Sequence, residues 1–183
     1  MTVMLVLGGA RSGKSSFALC EAESCSASPV MIATAQALDA EMTERILRHR
    51  QERGSQWTTI EAPLDLVEVI TQVEAGSVLV IDCLTLWLSN LMHGGRDPVQ
   101  ACEELIPILK KRDAILIANE VGLGIVPDNA LARAFRDEAG RMNQKIAAVA
   151  DTVVFVAAGL PLYLKGQKGF AITNGAALGK PVF

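Results

Sequence analysis

The sequence predicts an α/β fold, a mostly parallel sheet with helices on both faces. Three observations predict it. Apolar, β-branched runs recur at Val3–Leu7, Val30–Thr34, Val78–Asp82, Ile115–Asn119 and Thr152–Val156. Helical stretches separate these runs, and the runs read as strands buried on both faces, which is the signature of a parallel sheet covered by helices. The 183 residues suffice for one substantial core and are short for two. No repeat, low-complexity tract or domain-separating linker interrupts the pattern, so residues 1–183 read as a single domain.

The remaining elements follow from local chemistry. Thr58–Glu61 is a candidate further short strand. Asp39–Arg53 is charged and periodic, as a surface helix is. Pro63 suits the first turn of a helix running through Val73. Asp97-Pro98 opens another, which Pro107 is expected to kink or interrupt. Asp128–Ala150 is long and alanine-rich, with Gly140 a weak point. From Gly159 to Phe183 the chain is glycine-rich and poorly periodic, and loops or contacts with another subunit are expected there.

Half the residues are apolar and a fifth charged, with a net charge of −3 from 17 basic and 20 acidic side chains. That is an ordinary globular composition, and it lacks the basic excess of a nucleic-acid-binding chain. Cys20, Cys25, Cys83 and Cys102 form no C-x-x-C pair, and neither histidine stands near them at zinc-ligand spacing. Reduced thiols in a cytoplasmic protein are expected. No signal peptide is visible. The most apolar stretch, Ser77–Met92, is shorter than a membrane span and carries Asp82.

Residues 8–15 read GGARSGKS and fit G-x-x-x-x-G-K-[ST], the phosphate-binding loop. A strand precedes the loop and a helix follows, the context this motif requires. Glycines let several backbone N–H groups turn toward one anion, and the helix adds the positive end of its dipole. Lys14 is placed to reach the β- and γ-phosphates, and the Ser15 hydroxyl to ligate Mg²⁺. A nucleoside triphosphate ligand is expected.

A second constellation lies in the charged helix. Arg45, His49 and Arg53 are spaced four apart and share one side, with Arg48 and Arg50 flanking the imidazole in sequence. A neutral imidazole among guanidinium groups suits attack on a phosphate, since arginines hold phosphate oxygens bidentately and disfavour the imidazolium. The spacing is equally that of a solvated helix face with i,i+4 ion pairs, the commoner meaning of such a stretch. Spacing alone leaves both readings open.

Other candidates sit at strand ends. Asp82 ends its strand at the carboxyl edge, where parallel sheets bind ligands. It reads as a Mg²⁺ partner, as an acceptor for nucleotide groups, or as the N-cap of the following helix. Glu120, in Asn119-Glu-Val-Gly-Leu-Gly-Ile-Val-Pro127, reads as a base, a holder of metal-bound water, or a surface carboxylate. The Thr34 hydroxyl is expected to face the crevice, and Glu61 to accept from a guanine or ribose. Arg141, Asn143 and Gln144 are as consistent with structure as with function. His93 marks a helix end, and Trp57 and Trp87 are expected in the core or at subunit contacts.

Taken together, GGARSGKS at 8–15, IATAQALDAEM at 32–42, RILRH at 45–49, the stretch from Trp57 to Glu61, NEVGLGIVP at 119–127 and AGRMNQKIA at 139–147 resemble the bifunctional adenosylcobinamide kinase/adenosylcobinamide-phosphate guanylyltransferase family of cobalamin biosynthesis. The blocks stand in the family's order and cover most of the chain. The resemblance implies phosphorylation of adenosylcobinamide by ATP or GTP, then transfer of GMP from GTP through a guanylyl-histidine to adenosylcobinamide phosphate. It assigns the guanylylated histidine to His49. It assigns nucleotide contacts to Gly8, Gly9, Ala10, Arg11, Ser12, Gly13, Lys14 and Ser15; to Ala33, Thr34 and Ala35; to Arg50, Gln51, Glu52 and Arg53; and to Glu61 and Asp82. It also implies a P-loop NTPase domain of RecA-like type, assembled as a homotrimer. Two other classes are weighed against it: a simple small-molecule kinase with a structural His49, and a GTP-dependent switch. The guanine signature N-K-x-D of such switches is missing, because Asn119 is followed by Glu-Val-Gly.

Overall fold

The fold is described from a computed structural model, for residues 1–37, 40, 42–44 and 54–166. Seven strands form one sheet: β1 (Val3–Gly8), β2 (Val30–Ala33), β3 (Thr58–Glu61), β4 (Val78–Asp82), β5 (Asp113–Asn119), β6 (Thr152–Ala157) and β7 (Leu160–Lys165), in the order β3-β2-β4-β5-β1-β6-β7. Six strands are mutually parallel, and β7 runs antiparallel to β6 at the edge. Among the described residues the helices with full bounds are α1 (Lys14–Cys25), α2 (Leu66–Gln72), α3 (Leu84–His93), α4 (Pro98–Leu109) and α5 (Ala130–Val149). Residues 40 and 42–44 are helical too, within the predicted 39–53 helix. No helix among the described residues is long and apolar enough to cross a membrane.

Alternation along the strands builds a core on each face. Val3, Leu5 and Leu7 of β1 point into one cluster with Leu79, Ile81, Leu116, Leu88 and Leu105. Met4 and Val6 point into the other with Ala18, Ala22, Val80, Ile117 and Val154. Both faces of β1 are therefore buried, which is why its sequence is continuously apolar. Small residues Ala18 and Ala22 form the buried side of α1, which crosses β4 and β5 as well as β1. Trp57 and Trp87 are both buried, with Nε1 donating to Glu23 Oε1 at 2.8 Å and to the Leu64 carbonyl at 2.8 Å.

Several expectations are corrected. The helix expected from Pro63 begins only at Leu66. Tertiary bonds claim the intervening backbone: the Ala62 amide donates to Ala33, Asn90 Nδ2 donates to the Pro63 carbonyl, and Trp87 takes the Leu64 carbonyl. Pro107 does not interrupt its helix, which runs unbroken to Leu109. It sits in the last turn, where its missing N–H leaves only the carbonyl of exposed Glu103 without a helical partner. Within the tail expected to be loops or subunit contacts, Leu160–Lys165 is instead the strand β7, and residues 167–183 lie outside the described residues. Ala158 (φ 52°) and Gly159 (φ 79°) are both left-handed, the requirement of a two-residue hairpin turn.

The Thr34 hydroxyl does not face the crevice. Thr34 is fully buried, and its Oγ1 donates to the Cys83 carbonyl and accepts from the Cys83 amide, each at 2.8 Å. Its own amide donates to the Asp82 carbonyl at 3.1 Å. One threonine thus ties the end of β2 to the segment leaving β4. Thr34→Val keeps the shape but leaves both Cys83 groups unpaired, and each unsatisfied buried group costs about 1–3 kcal/mol. A loss of about 2–4 kcal/mol in urea unfolding is expected, with Thr34→Ser close to wild type.

Candidate phosphate-binding site

The phosphate loop leaves the carboxyl end of the central strand β1 and enters α1. Gly13 caps that helix in a left-handed conformation (φ 93°) and offers no side-chain cap, and the first turn of α1 holds no acidic residue. The positive end of the helix is therefore left to an external anion. Lys14 is buried and its Nζ donates to the Gly9 carbonyl at 3.0 Å, which folds the side chain back over the loop. Ser15 is half-buried one residue further on, and Ala10 and Arg11 are exposed at the tip. Arg11 has a left-handed backbone (φ 55°).

Neighbours on both sides grip the loop. On the β5 side the Glu120 amide donates to the Gly8 carbonyl at 3.0 Å. On the β6 side the Gly159 amide donates to the Ser12 carbonyl at 2.8 Å. The fit is tight: a Cβ at Gly8 would stand 2.5 Å from Ser12 Oγ and 2.6 Å from the Val156 carbonyl, and one at Gly13 would stand 3.1 Å from the Gly159 Cα. Ser12 Oγ is buried with no hydrogen-bond partner among the described residues.

Sheet register gathers a second group. Ala33 pairs with Glu61 on one side and with Asp82 on the other, so Ala33, Glu61 and Asp82 lie side by side at the carboxyl edge, with Thr34 and Ala35 just beyond. Glu61 is exposed, while Ala33, Ala35 and Asp82 are half-buried. At about 4.8 Å per strand spacing, Asp82 stands two spacings from β1 and Glu61 four, or about 10 and 19 Å. Asp82 is not the helix cap: Cys83 occupies that position, and the helix has no side-chain cap bond. Burial first, and then the Asp82 charge, push the Cys83 thiol up to about 11, so it stays protonated at neutral pH. Glu120 Oε1 accepts from the Gly122 amide at 2.7 Å.

His49, with Arg45, Arg48, Arg50, Gln51, Glu52 and Arg53, lies outside the described residues. His93 is the last residue of α3, exposed, with Nδ1–H donating to the Ser89 carbonyl at 2.7 Å. Arg141 pairs with Glu138 on the surface of α5. Sequence reasoning missed the Ala158-Gly159 turn as a wall of the site. Its signal was present, an Ala-Gly pair between an apolar run and the alternating Leu-Pro-Leu-Tyr-Leu.

The solved structures similar to this chain share its fold at low identity. An ATPase from the type III secretion system of pathogenic bacteria aligns over 88% of this chain and 56% of its own, with TM-score 0.52 and 13% identity. A Pyrococcus horikoshii protein aligns over 91% and 87%, with TM-score 0.53 and 9% identity. Together with the phosphate loop after β1, this is the P-loop NTPase fold. Sequence relatives are far more similar. The bifunctional adenosylcobalamin biosynthesis protein CobP of Pseudomonas aeruginosa is 44% identical over 172 residues, covering 89% of this chain and 97% of the relative. CobU of Escherichia coli is 42% identical over 182 residues, covering 89% and 99%. The family model for cobinamide kinase / cobinamide phosphate guanyltransferase matches residues 4–164. With an uncapped phosphate loop gripped between β5 and β6 and relatives this similar over nearly their whole length, the chain belongs to the cobinamide kinase / cobinamide phosphate guanyltransferase family.

Proposed function

We propose that this chain phosphorylates adenosylcobinamide and then guanylylates the product, using one phosphate loop for nucleotide and His49 as a covalent carrier. The observation that carries the reading is the phosphate loop itself, in a chain of this family. The first turn of α1 holds no acidic residue and Gly13 gives it no side-chain cap, and Lys14 and Ser15 follow that cap directly. The unpartnered Ser12 hydroxyl supports an anion or water completing the loop, because a buried hydroxyl without a partner costs about 1–3 kcal/mol.

In the kinase step the terminal hydroxyl of the aminopropanol arm attacks the γ-phosphorus of ATP or GTP. An O–P bond forms, the β–γ bridge bond breaks, the diphosphate leaves and the hydroxyl proton is released. Lys14 and the loop amides Gly8–Ser15 hold the phosphate oxygens. In the transferase step an imidazole nitrogen of neutral His49 attacks the α-phosphorus of GTP, forming an N–P bond and expelling pyrophosphate. A phosphate oxygen of adenosylcobinamide phosphate then attacks that phosphorus. The imidazole leaves, and adenosylcobinamide-GDP is formed. Arg50, Gln51, Glu52 and Arg53 are proposed to hold the nucleotide beside His49. Ala33, Ala35, Glu61 and Asp82 are proposed to recognise guanosine, with buried Thr34 fixing their edge from below; their common position at one sheet edge supports this.

Mg²⁺ fits the donors present. The Ser15 hydroxyl and the Asp82 carboxylate are hard oxygen ligands of the kind magnesium takes together with phosphate and water. Among the described residues no cluster of three His, Cys, Asp or Glu side chains could hold a metal, so the nucleotide's own oxygens complete the set. When bound, the ion neutralises charge on the β- and γ-phosphates. A homotrimer is proposed as the assembly. The alternate side chains Leu160, Leu162 and Leu164 of edge strand β7 are 72%, 60% and 57% exposed and provide an apolar face for it. A cytoplasmic location is supported by four free cysteines.

Two measurements test the mechanism. Incubation with GTP labelled at the α-phosphate is expected to leave an acid-labile, base-stable adduct that His49→Ala abolishes. Undiminished label in that variant would place the nucleophile elsewhere, and no label in the wild type would favour direct kinase chemistry. Lys14→Ala is expected to lower cobinamide phosphorylation by about 10²–10³-fold, the cost of removing one oriented electrostatic stabiliser. Self-labelling is expected to fall with it. Loss of phosphorylation with labelling retained would give the transferase a phosphate site of its own.

A further inference from the structure

We infer that the loop after β5, residues 121–127, is the platform on which the corrin ring of the acceptor lies while its arm reaches the phosphate loop. The inference rests on the proposed function and locates the acceptor within it. The loop reads Val-Gly-Leu-Gly-Ile-Val-Pro and carries no charge. Leu123 is 80% exposed, Ile125 97% and Val126 62%, and Leu131 in the first turn of α5 adds another 60%. Four large aliphatic side chains exposed within nine residues of one another are the composition of a binding surface.

The exposure is not that of an unanchored segment. At its start the Glu120 amide is bonded to Gly8, the Gly122 amide is bonded to Glu120 Oε1, and Val121 packs against the core. At its end Arg133 Nη1 donates to the carbonyls of Pro127 and Asp128 at 3.0 and 2.7 Å. The aliphatic side chains between these anchors are held toward solvent. Gly124 has open space where a Cβ would stand, and Gly122 meets only the Glu120 carboxylate there, so a flat ligand has room to approach.

Position selects the occupant. The loop begins on β5, the strand beside β1, and three extended residues span at most about 10 Å, so Leu123 lies within that reach of the residue bonded to Gly8. The reacting hydroxyl of cobinamide sits at the end of a flexible arm, and the corrin ring is too broad to enter the loop with it. The ring must rest on the crevice rim, and its periphery of methyl groups and uncharged amides suits a surface of aliphatic side chains without charge. A nucleotide or acidic partner would call for cations, and none lies between Val121 and Pro127.

The test is steady-state kinetics of the full chain carrying Leu123→Ser and Ile125→Ser, two exposed changes. The KM for adenosylcobinamide is expected to rise at least tenfold. GTP-dependent self-labelling without corrinoid and the mass in analytical ultracentrifugation are expected to match wild type. An unchanged corrinoid KM would overturn the inference. So would a drop in mass, which would make this surface an interface between copies of the chain. Failure of the wild type itself to turn over adenosylcobinamide would instead remove the functional reading beneath it.

Discussion

The arrangement depends on one constraint: a loop of backbone amides must be held open at the end of β1 with no side chain filling it. Gly8 meets that constraint at contacts too short for a Cβ, against Ser12 and Val156, and Gly13 by a left-handed backbone packed close on Gly159. The grip comes from both neighbouring strands, through the Glu120 amide on one side and the Gly159 amide on the other. The strand order thereby becomes part of the site. With β1 between β5 and β6, each flanking strand delivers its following loop to the phosphate loop.

The same geometry divides the carboxyl edge into zones. The phosphate loop leaves β1, while Ala33, Glu61 and Asp82 lie two to four strands away. In the proposed reaction this separation gives nucleotide and acceptor different approaches to one edge. The Thr34–Cys83 pair keeps the second zone in register by tying β2 to β4 below the surface. Threonine at that position therefore serves the site from inside the core rather than by touching ligand with its hydroxyl.

Much of this was legible from the residues. Continuous apolar runs located five strands because burial on both faces leaves no place for polar alternation, and the short Thr58–Glu61 strand was also found. The phosphate loop was legible because its chemistry is local: glycines, lysine and serine at fixed spacing between a strand and a helix. The start of α2 was not legible, since the backbone of residues 62–64 is claimed by Ala33, Asn90 and Trp87, partners distant in sequence. Strand β7 was hidden for a similar reason. Its alternating Leu-Pro-Leu-Tyr-Leu after an Ala-Gly pair is a short local signal inside a glycine-rich tail, and pairing with β6 is what makes it a strand.

By itself, the sequence determined that this is a parallel α/β domain with a phosphate loop, and its motif blocks pointed to the family. Those features are encoded by neighbours along the chain, where burial pattern and turn chemistry act within a few residues. Tertiary structure alone decided that Ala33, Glu61 and Asp82 share an edge, that the Thr34 hydroxyl turns inward, and that Gly159 walls the phosphate loop. Each of these depends on which strands lie adjacent and in what register, and hydrogen bonds between residues tens of positions apart leave no local periodicity to read.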